Sequence, residues 1–310
     1  SHPIGVRRQL DNSSPLNLCF IEFIFQKQGC CNQDEIRKGI QMKAQRIYLD
    51  FNASTPIAPE VAEAMRPFLS QHFGNPSSQH WAGVPTKEAV EHAREQVAGL
   101  LQCSPVEIVF TSGGSESNNH AIKGVFFALR EKGNHLITSE VEHPAVINPC
   151  RFLEKLGAQV TYVPVDRYGS VDPRNIQKAI TSRTILITVM HANNEVGTIQ
   201  PIEEISKIAK GRGIVFHTDA AQSAGKIATK VDHLGIELLS IAGHKVYAPK
   251  GIGALYIRKG TPIEPLIHGA GHESGRRAGT ENVLLIVGLG KACEIAKRYL
   301  NDDKIRKLRD

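Results

Sequence analysis

From Ile108 to Ile257, short apolar runs alternate with longer segments of helical period, and that alternation most limits what this 310-residue chain can fold into. Ile108 to Thr111, Leu136 to Ser139, Val160 to Val163, Ile185 to Val189, Ile214 to His217, Leu238 to Ile241 and Ile252 to Ile257 are short, apolar and mostly β-branched, the pattern of buried strands. Between them, Glu116 to Arg130, Ala145 to Leu156, Arg174 to Ile180 and Ile202 to Lys210 have helical spacing, and helices at Pro59 to Phe68 and Thr86 to Leu101 precede them. Pro67 should bend or end the first of these helices. Ile47 to Asp50 reads as one further strand. Such alternation predicts an α/β fold: a mainly parallel sheet with helices on both faces. Ligands in such sheets gather beyond the carboxyl ends of the strands.

The polar clusters obey that rule. TSGGSESNN (111–119), SEVEHP (139–144), MHANNEVG (190–197), HTDAAQ (217–222) and GHK (243–245) each follow a predicted strand, so five segments converge on one rim. Lys245 lies between two apolar strands. A solvated loop lysine is the common case; held at a strand end a lysine is poor core material, but burial favours the neutral amine, which attacks an aldehyde. The turn from Ser112 to Ser115 opens a helix, so the N–H groups of Gly114, Ser115 and Glu116 can face an anion that the helix dipole also favours; a plain N-cap by Ser115 is the alternative. Asp219 ends an apolar strand, where an unpaired charge is costly, and so implies a cationic partner unless it caps a helix.

The segment SIAGHKVYAPKGIGALYIR (240–258) resembles the lysine segment of the cysteine desulfurases and selenocysteine lyases, within the class V aminotransferase group of pyridoxal-phosphate enzymes. The similarity extends from about Arg46 to about Tyr299, with the motifs in the family's order. The resemblance implies the cofactor pyridoxal 5'-phosphate, a large cofactor-binding domain over residues 42–300, and Lys245 as the residue that carries the cofactor. It also implies that Gly114 and Ser115 hold the phosphate, helped by His244. His143 would stack on the pyridine ring and move protons. Asp219 would hold the ring nitrogen, Gln222 the phenolic oxygen, and Asn194 that oxygen and the substrate carboxylate. GHESGRRAGTENV (271–283) resembles the family's arginine-rich segment, whose threonine, here Thr280, reaches the phosphate of a neighbouring subunit. A homodimer follows. Many relatives have a phosphate-binding serine where this chain has Ala242, so one hydrogen bond should be missing.

In the family, a mobile cysteine thiolate accepts sulfur from cysteine and leaves alanine. That cysteine and an arginine clamping the substrate carboxylate belong to a small C-terminal domain, which is expected to be largely absent here, with 301–310 a stub leading towards it. Cys293 lies on a helical stretch and is expected in the core. Two classes stay open: a cysteine desulfurase, or selenocysteine lyase, that is incomplete in this chain, and a cofactor-binding remnant without catalysis. An amino-acid substrate and a sulfur-acceptor protein, as in iron-sulfur cluster assembly, are the partners implied; no metal site is expected.

The first methionine is Met42, and MKAQRIYLDFNASTP resembles the start of a bacterial relative, so residues 1–41 read as an unmatched, poorly ordered extension, or else a targeting peptide. A net charge of +6 without arginine-rich, aromatic-interleaved blocks argues against nucleic acid. No apolar run approaches the roughly 20 residues that span a bilayer. The six cysteines lack CxxC or zinc-like spacing and point to free thiols in a reducing, cytoplasmic compartment.

Overall fold

The computed structural model of the chain describes residues 47–301 together with Lys307. The extension at 1–41, with Cys19, Cys30 and Cys31, and the rest of the stub at 301–310 lie outside the described residues. Seven strands form a single sheet: β1 (Ile108–Thr111), β2 (His135–Ser139), β3 (Gln159–Val163), β4 (Thr184–Thr188), β5 (Val215–Asp219), β6 (Leu238–Ala242) and β7 (Gly253–Ile257). Their order across the sheet is β1-β7-β6-β5-β4-β2-β3. Pairing is parallel from β6 through to β3, while β7 runs antiparallel to both its neighbours. Only β7 opposes the others, so the carboxyl ends of the remaining strands share one edge.

Alternate residues of each strand face opposite sides. Ile137, Ile187, Phe216, Leu239, Ile241 and Tyr256 point into one apolar layer, which α1 (Pro59–Met65), α2 (Gly83–Leu101), α5 (Pro173–Ala179), α6 (Ile202–Lys210), α7 (Val231–Leu234) and α8 (Val283–Asn301) cover. Leu136, Leu186, Val215, Leu238 and Leu255 point into the other, beneath α3 (Gly114–Leu129) and α4 (Pro144–Glu154). Each fully enclosed ring, such as Phe216, contributes ~1.5–3 kcal/mol of transfer free energy. With both faces covered, the strands must be apolar throughout, which is why they read as continuous runs.

One expectation needs amendment and one, at Pro67, is met. Ile47 to Asp50 forms no strand: Ala53 and Ser54 donate their N–H groups back to the Asp50 carbonyl, and Ile47 is 77% exposed. The first α-helix stops at Met65 and tightens to a 3-10 turn over Arg66–Leu69, because Pro67 has no N–H to continue the ladder.

Candidate active site

At the end of β1 the chain turns through Gly113, whose φ of 148° and ψ of 179° suit glycine alone, and enters the 16-residue helix α3. Gly253 lets the start of β7 lie against this turn, since a Cβ there would sit 2.7 Å from the Gly113 Cα. The first-turn N–H groups of α3 therefore face the shared edge with the positive end of the helix dipole behind them. Ser115 is exposed on this turn. A Cβ on Gly114 would lie 3.1 Å from the Ala242 methyl, so Ala242 abuts the cradle with no hydroxyl to offer.

Asp219 is the last residue of β5 and is only 5% exposed. Its Oδ1 accepts from Ala221 N at 2.9 Å and its Oδ2 from Asn118 Nδ2 at 2.6 Å. Burial pushes its carboxyl above the usual range, while those two hydrogen bonds and the proximity of His143 and Lys245 oppose the rise. Asn118, one α3 turn inside Gly114, keeps a buried Oδ1 with no partner among the described residues.

Lys245 ends a 3-10 turn, Gly243–Lys245, directly after β6. Burial lowers its ammonium pKa, while Asp50 and Asp219 pull the other way. Its Nζ donates to the carbonyls of Asn52 and, at 3.1 Å, Ala53. Gln222 Nε2 donates to the same Asn52 oxygen at 3.0 Å, and Asn52 Nδ2 reaches the Asn194 carbonyl at 3.3 Å. Thr55 closes the strap: its Oγ1 donates to the His244 carbonyl at 2.9 Å and accepts from Tyr247 N at 3.0 Å. His244 has a buried Nδ1 with no partner among the described residues, and burial, Lys245 and Lys250 lower its pKa.

His143 caps α4, its Nδ1 accepting from Ala145 N at 3.0 Å, so the neutral ring carries its proton on Nε2. An open cleft of about 400 Å³ between α3 and α4 is lined by His143, Ser115, Asn119, Lys123, Asn148 and Phe152. Beneath His143, Glu142 is buried; its Oε1 accepts from Ser139 Oγ at 2.7 Å and Met190 N at 2.8 Å. Burial pushes that carboxyl up to about 8, and the Asp219 charge adds to the rise.

The structure thus gathers Lys245, Asp219, Gln222, Asn194, His143 and His244 with the Gly114–Ser115 turn along one edge. Thr280 is not among them. It lies exposed in a loop anchored by Arg277, whose Nε donates to Glu116 Oε1 at 2.9 Å. Asn52, Thr55, Asn118, Glu142 and Lys226 are polar neighbours that the motif reading does not single out; the amide pair in SESNN, on the inward side of α3, was the available sign for Asn118. Cys293 is fully buried as expected, and burial pushes the thiols of Cys103, Cys150 and Cys293 each up to about 12. No helix among the described residues is long and apolar enough to cross a membrane.

Residues 47–309 match the family Aminotransferase class-V. The chain is 58% identical over 268 residues to "Cysteine desulfurase IscS" of Dictyoglomus turgidum, spanning 86% of this chain and 68% of the relative. It is 51% identical over 275 residues to the protein of the same name from Methanosarcina thermophila, spanning 88% of this chain and 68% of that one. Among solved structures, "SspA in complex with cysteine" superposes with a TM-score of 0.79 at 50% identity, over 80% of this chain and 72% of the other. A "NIFS-LIKE PROTEIN" superposes with a TM-score of 0.81 at 43% identity, over 83% of this chain and 71% of the other. These relatives favour cysteine desulfurase over selenocysteine lyase. The chain is a member of the class V aminotransferase family and, within it, of the pyridoxal-phosphate-dependent cysteine desulfurases.

Proposed function

We propose that this chain holds pyridoxal phosphate at the strand-end rim and removes sulfur from L-cysteine there, leaving L-alanine and an enzyme-derived persulfide. One observation carries the reading: Asp219 is a buried carboxylate with only neutral hydrogen-bond donors, on the same edge as the half-buried amine of Lys245. The residues fit the cofactor in three further ways. The α3 N-terminus suits a phosphate, His244 Nδ1 is a buried ring atom in need of a partner, and Gln222 offers an N–H.

When bound, the cofactor supplies an aldehyde for amino groups and a protonated ring that takes up the electron pair released at the substrate α-carbon. Asp219 would keep the proton on the ring nitrogen, the site where a buried anion gains most from a cation. Gly114 and Ser115 would hold the phosphate, with His244 beside them, and Asn194 and Gln222 would face the ring oxygen. Lys245, with its ammonium disfavoured by burial, is the base placed to take the α-proton. His143 keeps a transferable proton on Nε2.

Breaking the Cβ–S bond requires a thiolate to accept the sulfur as a new S–S bond. Cys103, Cys150 and Cys293 are thiols at neutral pH and do not supply it. The acceptor is a cysteine outside the described residues or the thiol of a sulfur-acceptor protein. A homodimer belongs to this reading, with Thr280 completing the partner's phosphate site from its exposed loop, as does a cytoplasmic location.

The test combines cofactor mapping with product analysis. Borohydride reduction of the loaded protein followed by peptide mapping should leave the pyridoxyl group on Lys245. Finding it on Lys226 or Lys250 overturns the assignment. Alanine released from cysteine in the presence of a reducing thiol should depend on Lys245.

A further inference from the structure

We infer that Lys226 is a positioning residue for Gln222: its ammonium occupies the amide oxygen, so that the amide NH2 is held as the group offered to the rim. The inference rests on the reading that this rim holds pyridoxal phosphate. Lys226 follows Gln222 by one helical turn's spacing, in the turn after β5, and its Nζ lies 3.0 Å from Gln222 Oε1. An ammonium can only donate, so the atom facing it must be the oxygen. The opposite end of the amide is then the NH2, and it does donate, to the Asn52 carbonyl at 3.0 Å. An amide is otherwise free to turn over and present its oxygen. Here the choice is made by a neighbouring charge.

The arrangement continues across the rim. Lys226 donates to Gln222, Gln222 to the Asn52 carbonyl, and Asn52 through its own Nδ2 to the Asn194 carbonyl at 3.3 Å. The Asn52 carbonyl is also an acceptor for Lys245. Lys226 and the two polar groups of Asn52 thus tie together Gln222 and the Asn194 backbone, the two residues proposed to face the ring oxygen. An anionic oxygen brought to this spot meets N–H from Gln222; with the amide reversed it would meet a carbonyl oxygen and be repelled. Burial, with Lys245 nearby, lowers the Lys226 ammonium to about 8, so it remains largely charged at neutral pH and can hold the amide. The charge facing this pair is Lys245, which shares the Asn52 carbonyl and is itself acted on by Asp50 and Asp219.

The test uses the full chain and pyridoxal phosphate itself. Lys226→Met removes the donor and keeps the apolar stem, Lys226→Arg keeps a donor, and Gln222→Ala removes the amide. Each variant, and the Gln222→Ala/Lys226→Met double variant, is titrated with pyridoxal phosphate by absorbance, and the pH midpoint of the bound cofactor's spectrum is recorded. Lys226→Met should weaken binding about tenfold and shift the spectral midpoint, as expected for one charge-assisted contact at an anionic oxygen. Lys226→Arg should recover most of the affinity. In the Gln222→Ala background, Lys226→Met should cost little more, since the two act as a unit. If the losses multiply in the double variant, or Lys226→Met binds and titrates like the unaltered chain, the positioning role is wrong while the cofactor site stands. If Lys226→Met does not fold by circular dichroism, Lys226→Leu, which also lacks a donor, takes its place with the same outcomes. An unaltered chain that binds no pyridoxal phosphate would overturn the site itself and this inference with it.

Discussion

Asp219 and Glu273 are both buried carboxylates, and they are treated in opposite ways. Glu273, 8% exposed, accepts from Arg94 Nη1 at 2.8 Å and Nη2 at 3.0 Å, and from Phe110 N at 2.9 Å. Its counter-ion is built into the chain, and Arg94 also donates to the Ile108 carbonyl at 2.8 Å and pairs through Nε with Glu91 at 3.4 Å. Asp219 has only an amide and a backbone N–H within hydrogen-bond reach. A fold that needed Asp219 for its own stability would give it an arginine, as it gives Glu273. Leaving a buried charge short of a cation is a standing cost that a ligand can relieve.

The largest effect expected from this contrast is at the satisfied pair. Arg94→Leu leaves Glu273 buried and uncompensated and should cost about 3–5 kcal/mol in urea unfolding. Asp219→Asn should change unfolding by less than about 1 kcal/mol: its oxygen keeps the Ala221 N–H, its NH2 can meet the unpartnered Asn118 Oδ1 once that amide turns over, and an unfavourable charge is gone. Its loss should appear in chemistry instead, as a roughly hundredfold slower exchange of the cysteine α-hydrogen with solvent, followed by mass spectrometry. Equal destabilisation by the two substitutions would break the comparison.

Glu142 sharpens it on a pH axis. Its folded pKa, about 8, lies above the ordinary carboxyl range, so the folded chain keeps a proton that the unfolded chain has already released. Its contribution to stability is therefore complete in acid and is lost as pH rises from about 4.5 towards about 8. Glu142→Gln keeps the shape and removes the titration, so the urea midpoint should fall less steeply across that interval. An unchanged slope would show that Glu142 is ionised in the folded chain.

Much of this was legible in the sequence because it is local. Helix α6 is bounded as its apolar spacing at Ile202, Ile205 and Ala209 implies, and the strand cores are apolar because both sheet faces are covered. Ile47 to Asp50 misled for the same reason: an apolar run was visible, but the turn at Asp50 that removes it from the sheet was not. Lys245 and Asp219 could be picked out by the cost of burying charge at a strand end. Asn52 could not. Its importance lies in carbonyl and amide contacts with residues from Asn194 to Lys245, and a backbone oxygen leaves no mark in composition. Lys226 was hidden too, because a lysine four residues after a glutamine is unremarkable until the turn after β5 brings the two side chains together.

The strap of Asn52 to Thr55 has a further bearing on how the protein is made. Its partners His244 and Lys245 lie 189 to 193 residues further along the chain. At ribosomal speeds the strap waits ~10 to 40 s for them to be synthesised. Contacts of such long separation form late in folding, after the loop-closure entropy has been met by other pairings. The earliest residues of the described chain are thus among the last to find their places, and the rim remains open on that side until synthesis has passed β6.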